Sequence, residues 1–247
     1  MPGYSASLSL GENLNEMNKI CVLGAGRSSS SLIAELLARA GSNEWEVYVG
    51  DLDVQNATNK CAGHPAAHPF EIDPNDSQRR NAHIASSDLV ISMVPAFMHP
   101  EIAEVAISAG VSVITPSYVS PQMKALHDRA VEADVLILNE IGLDPGIDHL
   151  SAKAVMDRIA AEGGEMLEFE SYCGGLIAPE SDDNPWHYKF SWNPRNVVLA
   201  GQGGSATFLS GGNARLVPPH RTFQNARKVE VGGEVFEGYP NRDSIAY

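Results

Sequence analysis

Apolar and polar positions fall in alternating blocks along the first half of the chain. Lys19–Leu23 (KICVL) is a short apolar run stopped by Gly24, and Ser30–Ala40 (SSLIAELLARA) follows with Leu32, Ile33, Leu36 and Leu37 on one helical face. Trp45–Gly50 (WEVYVG) reads as a second strand closed by Asp51, so strand, glycine turn, helix and strand make one βαβ unit. Apolar runs recur at Asp88–Val94 (DLVISMV), Val111–Thr115 (VSVIT) and Asp134–Asn139 (DVLILN), with helical patterns over Pro100–Ala109 and Pro121–Ala133 between them. Strands alternating with helices predict an open parallel sheet covered on both faces, a doubly wound α/β domain.

The texture changes after Glu140. A turn-rich stretch (IGLDPGIDHL) leads into a helix from about Asp148 to Glu162. Glycine pairs then flank SATFLS between Gly201 and Val217, and Lys228–Phe236 (KVEVGGEVF) reads as a hairpin through Gly232 and Gly233. The expected division is a leader over residues 1–18, a dinucleotide-binding domain over 19–143, and part of an α+β domain over 144–247 that ends before closing a core of its own. That last feature predicts a chain that continues. Met17 is an alternative start, and the leader lacks the basic region and apolar core of a signal peptide.

Charge narrows the partners. A formal charge of −14 and a sequence pI near 4.9 oppose binding to nucleic-acid phosphates or anionic membranes, which leaves a small molecule as the expected ligand. Cys21, Cys61 and Cys173 are odd in number and share no CxxC spacing, so a reducing, cytoplasmic setting is expected rather than a disulfide framework or a zinc site. His64 and His68 are each followed by proline, which denies them the helix that would align them as metal ligands.

The segment GAGRSS, Gly24–Ser29, follows a strand and opens a helix. Gly24 permits the tight turn, and Gly26 lets backbone N–H groups at a helix N-terminus approach a pyrophosphate. Arg27 lies within the same turn, and Ser28, Ser29 and Ser30 offer hydroxyls to a phosphate or to the helix cap. Ser29 occupies the third-glycine position, where helix–strand packing asks only for a small residue. Asp51 stands 27 residues after Gly24 at the end of the second strand, where an acid bonds ribose hydroxyls and repels a 2′-phosphate. NAD is therefore expected over NADP, with Asp53 near enough to share the role. The bland alternative makes Asp51 a strand-end turn residue. Asp148 and His149 look like a catalytic pair, but adjacent helical residues diverge by about 100°, so no bond between them is expected and Asp148 reads as a helix N-terminal acid.

Six segments, VLGAGRSSSSLIAELL, DLVISMVPAFMHPEIAEVAISAG, TPSYVSPQM, LNEIGLDPGIDHLSA, SYCGGLIAPESDDNPWHYKFSW and GYPNRDS, resemble the saccharopine dehydrogenase family closely. The resemblance implies a Rossmann-like domain followed by an α+β substrate and dimerisation domain, with a homodimer in the full-length protein. It also implies the interconversion of saccharopine with 2-aminoadipate 6-semialdehyde and glutamate. Some fungal relatives hold NADP with an arginine after the second strand, whereas VGDLD here carries an acid. By the same resemblance Tyr118, Asp144 and Cys173 line the active site, Trp192 forms a pocket wall, and Arg242 binds one of the three carboxylates of saccharopine, an amino-acid substrate. On spacing alone Asp144 is equally a turn former, Cys173 an inert thiol, Tyr118 and Trp192 core or rim aromatics, and Arg242 a surface charge. Two other functions stay open: a carboxy-polyamine dehydrogenase, and a catalytically silent NAD-binding module.

Overall fold

The computed structural model describes residues 18–72, 76–191, 194–200, 204–241 and 243–245. The chain divides into two compact units, Met1–Asn139 and Glu140–Tyr247.

The first unit is a six-stranded parallel sheet. Its strands are β1 (Asn18–Leu23), β2 (Trp45–Asp51), β3 (Ala67–Glu71), β4 (Leu89–Ser92), β5 (Ser112–Ile114) and β6 (Ile137–Leu138), in the order β3-β2-β1-β4-β5-β6. Order reverses between β1 and β4, the switch point at which sheets of this kind bind ligands outside the strand carboxyl ends. Alternation along β1 sends Ile20 and Val22 to one face and Cys21 and Leu23 to the other. On the first face α1 (Ser30–Asn43) contributes Ile33 and Leu37, and α2 (Val54–Cys61) contributes Ala57 and Cys61. On the second, α3 (Ser77–Ala85) contributes Ile84, and α4 (His99–Ala109) contributes Ile102 and Ala106. Both faces of the sheet are buried, as the near-continuous apolar strands require.

Three elements escape the hydrophobic pattern. The helix α2 (VQNATNKC) buries only Ala57 and Cys61, one i, i+4 pair, and is started by Asp53, whose side chain accepts the Gln55 N–H. The helix α3 buries Arg80 and Ile84 and is capped by Asp76. Strand β3 contains Pro69, tolerable because β3 is an edge strand. His68 lies on that strand, stacked on Tyr48 with ring centroids 4.6 Å apart, and His64 Nδ1 accepts the Ala66 N–H. The helix expected over Pro121–Ala133 is two short ones, α5 (Pro121–Lys124) and α6 (His127–Glu132), parted where Leu126 N–H bonds Met123 O in a tighter i+3 turn.

The second unit contains α7 (Ile147–Ala161), α8 (Pro194–Ala200) and two antiparallel hairpins, β7 (Ala206–Ser210) with β8 (Asn213–Val217) and β9 (Arg227–Val231) with β10 (Glu234–Gly238). Each hairpin turns on two glycines of positive φ, Gly211–Gly212 and Gly232–Gly233, the pairing that a two-residue turn of the primed type demands.

Candidate active site and dinucleotide cradle

The turn after β1 is built by two glycines that serve different ends. Gly24 has φ +107°, and a Cβ there would lie 2.9 Å from the backbone carbon and oxygen of Met93, so the fold itself needs glycine where β1 passes β4. Gly26 has the ordinary extended angles φ −69°, ψ −177°, and a Cβ there would meet nothing within 4 Å. Among the described residues no neighbouring atom demands glycine at 26. A ligand that must approach the bare backbone does, and the residues fit a dinucleotide pyrophosphate on that ground. Arg27–Ser29 form one 3-10 turn leading into α1, with Gly26, Arg27 and Ser28 exposed. Ser29 is 1% exposed and its hydroxyl donates to Gly26 O at 2.9 Å, so the residue in the third-glycine position packs and satisfies itself within the loop.

Asp51 is tied to this loop. Its Oδ2 accepts the Ala25 N–H at 2.6 Å and its Oδ1 accepts the Asp53 N–H at 3.0 Å, bonds that fasten the glycine turn to the end of β2. Oδ1 also accepts from Asn56 Nδ2 at 3.4 Å, so of the about four acceptor positions of a carboxylate one is left for a ribose hydroxyl. Asp53 is committed to capping α2.

Lys60, near the end of α2, was not singled out by sequence reasoning. Its ammonium donates to Gly26 O and, at 2.9 Å, to Ser30 Oγ, placing a positive charge on the rim of the cradle. Burial pushes the Lys60 pKa below its ordinary value, and the charge of Asp51 acts in the opposite direction. A lysine in a polar stretch far along the chain from the glycines gives no periodic signal. Only the packing of α2 against α1 and β2 reveals it.

In the second unit the chain folds tightly around Asp144. Gly142 N–H bonds Pro145 O at 2.9 Å, Ile147 N–H bonds Gly142 O at 2.9 Å, and Gly146 adopts φ +148°, where a Cβ would overlap the Gly142 backbone. Asp144 meets the Cys173 thiol. Partial burial raises the Cys173 pKa most, followed by the Asp144 hydrogen bond and the charges of Asp144 and Asp148. All of these influences disfavour the thiolate form of Cys173. The segment before Cys173 is anchored by Arg227 on β9, whose guanidinium donates to Glu170 and to the Tyr172 hydroxyl, while Tyr172 donates to Glu170 Oε2 at 2.7 Å.

One expectation is overturned here. His149 Nδ1 and Asp148 Oδ1 are 2.9 Å apart, and the same oxygen accepts the Gly146 N–H at 2.7 Å. The 100° divergence applies to the Cα–Cβ directions. At the open first turn of α7 the short Asp148 side chain folds back toward the helix start, and Nδ1, the ring nitrogen closest to the His149 backbone, reaches it. The N-terminal role of Asp148 stands beside that contact.

Tyr118 lies in the first unit, in the loop between β5 and α5, and is 43% exposed. Trp192 and Arg242 lie outside the described residues. The structure therefore brings Asp144 and Cys173 together within the second unit, and gathers Gly24, Gly26, Ser29, Asp51 and Lys60 at the switch point of the first.

Sheet order, glycine turn and strand-end acid define a doubly wound dinucleotide-binding domain, followed by a second α+β unit. Comparison with known proteins agrees. Residues 20–138 match the model of the saccharopine dehydrogenase NADP binding domain, and residues 142–247 match that of the saccharopine dehydrogenase C-terminal domain. The chain belongs to the saccharopine dehydrogenase family. It is 41% identical over 203 residues to saccharopine dehydrogenase [NADP(+), L-glutamate-forming] of Pyricularia oryzae, covering 82% of this chain and 45% of the relative. It is 33% identical over 246 residues to mitochondrial alpha-aminoadipic semialdehyde synthase of Bos taurus, covering 99% of this chain and 26% of that one. The solved structure of apo saccharopine dehydrogenase (L-Glu forming) from Saccharomyces cerevisiae superposes with a TM-score of 0.82 at 36% identity, covering 93% of this chain and 51% of that chain. The chain thus spans about half the length of the fungal relatives it matches.

Proposed function

We propose that this chain carries the cofactor domain and substrate-domain sequence of a glutamate-forming saccharopine dehydrogenase that uses NAD in preference to NADP. The observation that carries the reading is the Asp144–Cys173 pair, set on the GLDPG and YCGG segments within a chain of this family.

The reaction oxidises a secondary amine to an imine, adds water and collapses the carbinolamine to semialdehyde and glutamate. When bound, the nicotinamide accepts the hydride. The protons are left to the protein. Asp144 accepts a proton from the substrate amine or orients the water that attacks the imine, and the protonated Cys173 thiol holds its carboxylate in place. Asp148 adds negative charge that suits an ammonium group. Tyr118 and Trp192 position substrate and exclude solvent, and Arg242 takes a carboxylate. Turnover of saccharopine with NAD by the full-length protein tests this reading, followed by absorbance of the reduced nicotinamide. Wild-type protein that binds NADH yet turns over neither saccharopine nor the semialdehyde with glutamate sinks it. The unpaired Cys21, Cys61 and Cys173 support a cytoplasmic setting.

The NAD preference rests on Asp51, with Asp53 beside it. The names of the fungal relatives specify NADP, and that property is theirs. Asp51→Asn keeps an acceptor for Ala25 N–H but removes the charge that repels a 2′-phosphate. The ratio of NADPH to NADH dissociation constants is expected to fall ~10-fold or more, a change of at least ~1.4 kcal/mol in relative affinity. A wild type that prefers NADPH in the same fluorescence titration overturns the choice.

Lys60→Met keeps the stem and removes the charge at the cradle rim. Dinucleotide dissociation constants are expected to rise ~5- to 20-fold, the scale of one charge-assisted hydrogen bond, with a flatter salt dependence. Unchanged affinity at low and high salt would show that Lys60 only ties α2 to the loop.

A further inference from the structure

His99 opens α4 and is 2% exposed, yet the chemistry above leaves it unused. Its ring reaches three hydroxyls at or beyond the carboxyl ends of β4 and β5. Nδ1 lies 2.9 Å from Ser92 Oγ at the end of β4, and Nε2 lies 3.2 Å from Thr115 Oγ1 just past β5 and 2.8 Å from Ser117 Oγ in the following loop. Ser92 and Thr115 are fully buried. The Ser117 N–H in turn leans on Thr115 Oγ1 at 3.3 Å, and the next residue is Tyr118.

A neutral imidazole has one N–H and one lone pair, and rotating hydroxyls on both edges can complement either tautomer, so every polar atom of this buried cluster finds a partner. The fold needs both edges of the ring for its buried hydroxyls, Nδ1 for Ser92 and Nε2 for Thr115, because an apolar side chain would strand them. It does not need the Nε2–Ser117 bond in the same way. Ser117 is partly exposed, and water would serve its hydroxyl as well. Together with the Ser117 N–H bond to Thr115 Oγ1 and the Asn139 Nδ2 bond to Ser117 O at 3.5 Å, that bond ties down the start of the loop that carries Tyr118 past the end of β5. In a doubly wound sheet this carboxyl edge belongs to the second mononucleotide half, the half away from the glycine turn.

We propose that His99 is a positioning residue: through Nε2 and Ser117 it sets the Thr115–Ser120 loop, and hence Tyr118, beside the nicotinamide half of the bound cofactor. The inference rests on the dehydrogenase reading above for its effect on turnover, but not for its effect on the loop.

Conservative variants separate the two edges of the ring. The amide of His99→Asn reaches the Nδ1 position and keeps Ser92, whereas the amide of His99→Gln reaches the Nε2 position and keeps Ser117. Ser117→Ala removes the loop bond without touching the core. Hydrogen exchange by mass spectrometry is expected to show the amides of residues 117–120 exchanging ~10-fold faster or more in His99→Asn and Ser117→Ala, and within ~3-fold of wild type in His99→Gln. In the full-length protein kcat with saccharopine falls ~10-fold or more in the first two variants, while KM for the dinucleotide moves less than ~3-fold, and His99→Gln retains most of kcat. Equal loop exchange in His99→Asn and His99→Gln, or a Ser117→Ala loop as protected as wild type, overturns the proposal. So does a loosened loop with undiminished kcat. Wild-type protein inactive on saccharopine removes the dehydrogenase reading instead, and loop exchange alone then decides the role of His99.

Discussion

Gly26→Val is expected to weaken dinucleotide binding ~100-fold or more while the thermal midpoint stays within ~1 °C of wild type, because the loss is that of about two charge-assisted hydrogen bonds to the pyrophosphate. Valine adopts φ −69°, ψ −177° without strain, and a Cβ there lies more than 4 Å from every described neighbouring atom. The new side chain instead occupies the space through which phosphate oxygens reach the backbone N–H groups at the start of α1. Gly24→Ala is the contrasting case. At φ +107° a Cβ is placed against the Met93 backbone, which has no flexible end to yield, and the strain costs ~1–3 kcal/mol of stability. Its midpoint falls by several degrees, and binding falls with it. Calorimetric titration with NADH alongside thermal unfolding reads both variants. A Gly26→Val protein that binds as tightly as wild type would mean that the pyrophosphate does not lie over this turn, and the cofactor assignment would go with it.

The contrast between these glycines shows what sequence can and cannot convey. GxGxxS after a strand announces a turn and a helix start, but which glycine serves the fold and which the ligand depends on how close β4 passes. Strands β1 and β2 and helix α1 are legible because their apolar spacing matches their period. The α2–β3–α3 stretch is not, because two buried residues per helix leave no pattern and a histidine–proline edge strand has the wrong composition. Lys60 and His99 are invisible for a related reason. Each is a lone polar residue whose partners come from elements distant in sequence, and only tertiary packing gives it a role. The signal that could have pointed to His99 is positional, since it opens the helix that follows β4, on the ligand-bearing edge of the sheet. Asp144 and Cys173 were reachable only through the family resemblance, since they stand 29 positions apart with no shared period. In the folded chain Asp144 is close enough to the Cys173 thiol to raise its pKa. The Asp148–His149 contact departs from the expectation because a 100° divergence separates neighbours in a helix interior, whereas side chains at a first turn are free to fold back toward the open end.

Acid sensitivity gives a second large effect, and its sign follows from His99. Burial lowers the His99 pKa from its ordinary 6.5 to about 4. As pH falls below 6.5 the unfolded chain takes up a proton that the folded chain refuses until about pH 4, so the equilibrium shifts toward unfolding across that window. The stability associated with the neutral ring is complete above pH 6.5 and lost progressively toward pH 4. Between pH 7 and 4.5 the loss is ~2 kcal/mol for this one group. The partners found on the ring are the Ser92, Thr115 and Ser117 hydroxyls, which do not titrate in this range, so the slope belongs to the imidazole. His83, whose pKa is lowered by burial and then by Arg79, adds in the same direction. The carboxylates held low by partners, Glu170 by Arg227, Asp183 by Lys189 and Asp243 by Thr207, lose their contribution only as pH falls through the ordinary carboxylate range and below, which keeps them largely out of this interval. Urea unfolding of wild type and His99→Gln at several pH values between 7 and 4.5 isolates the effect. The glutamine variant starts from a lower stability but carries no titrating ring, so its stability declines ~2 kcal/mol less than that of wild type over the same interval. Parallel declines in the two proteins would mean that the ring is protonated in the folded state well above pH 4, and the buried hydroxyl cluster could not then be the closed, neutral network that holds the Tyr118 loop.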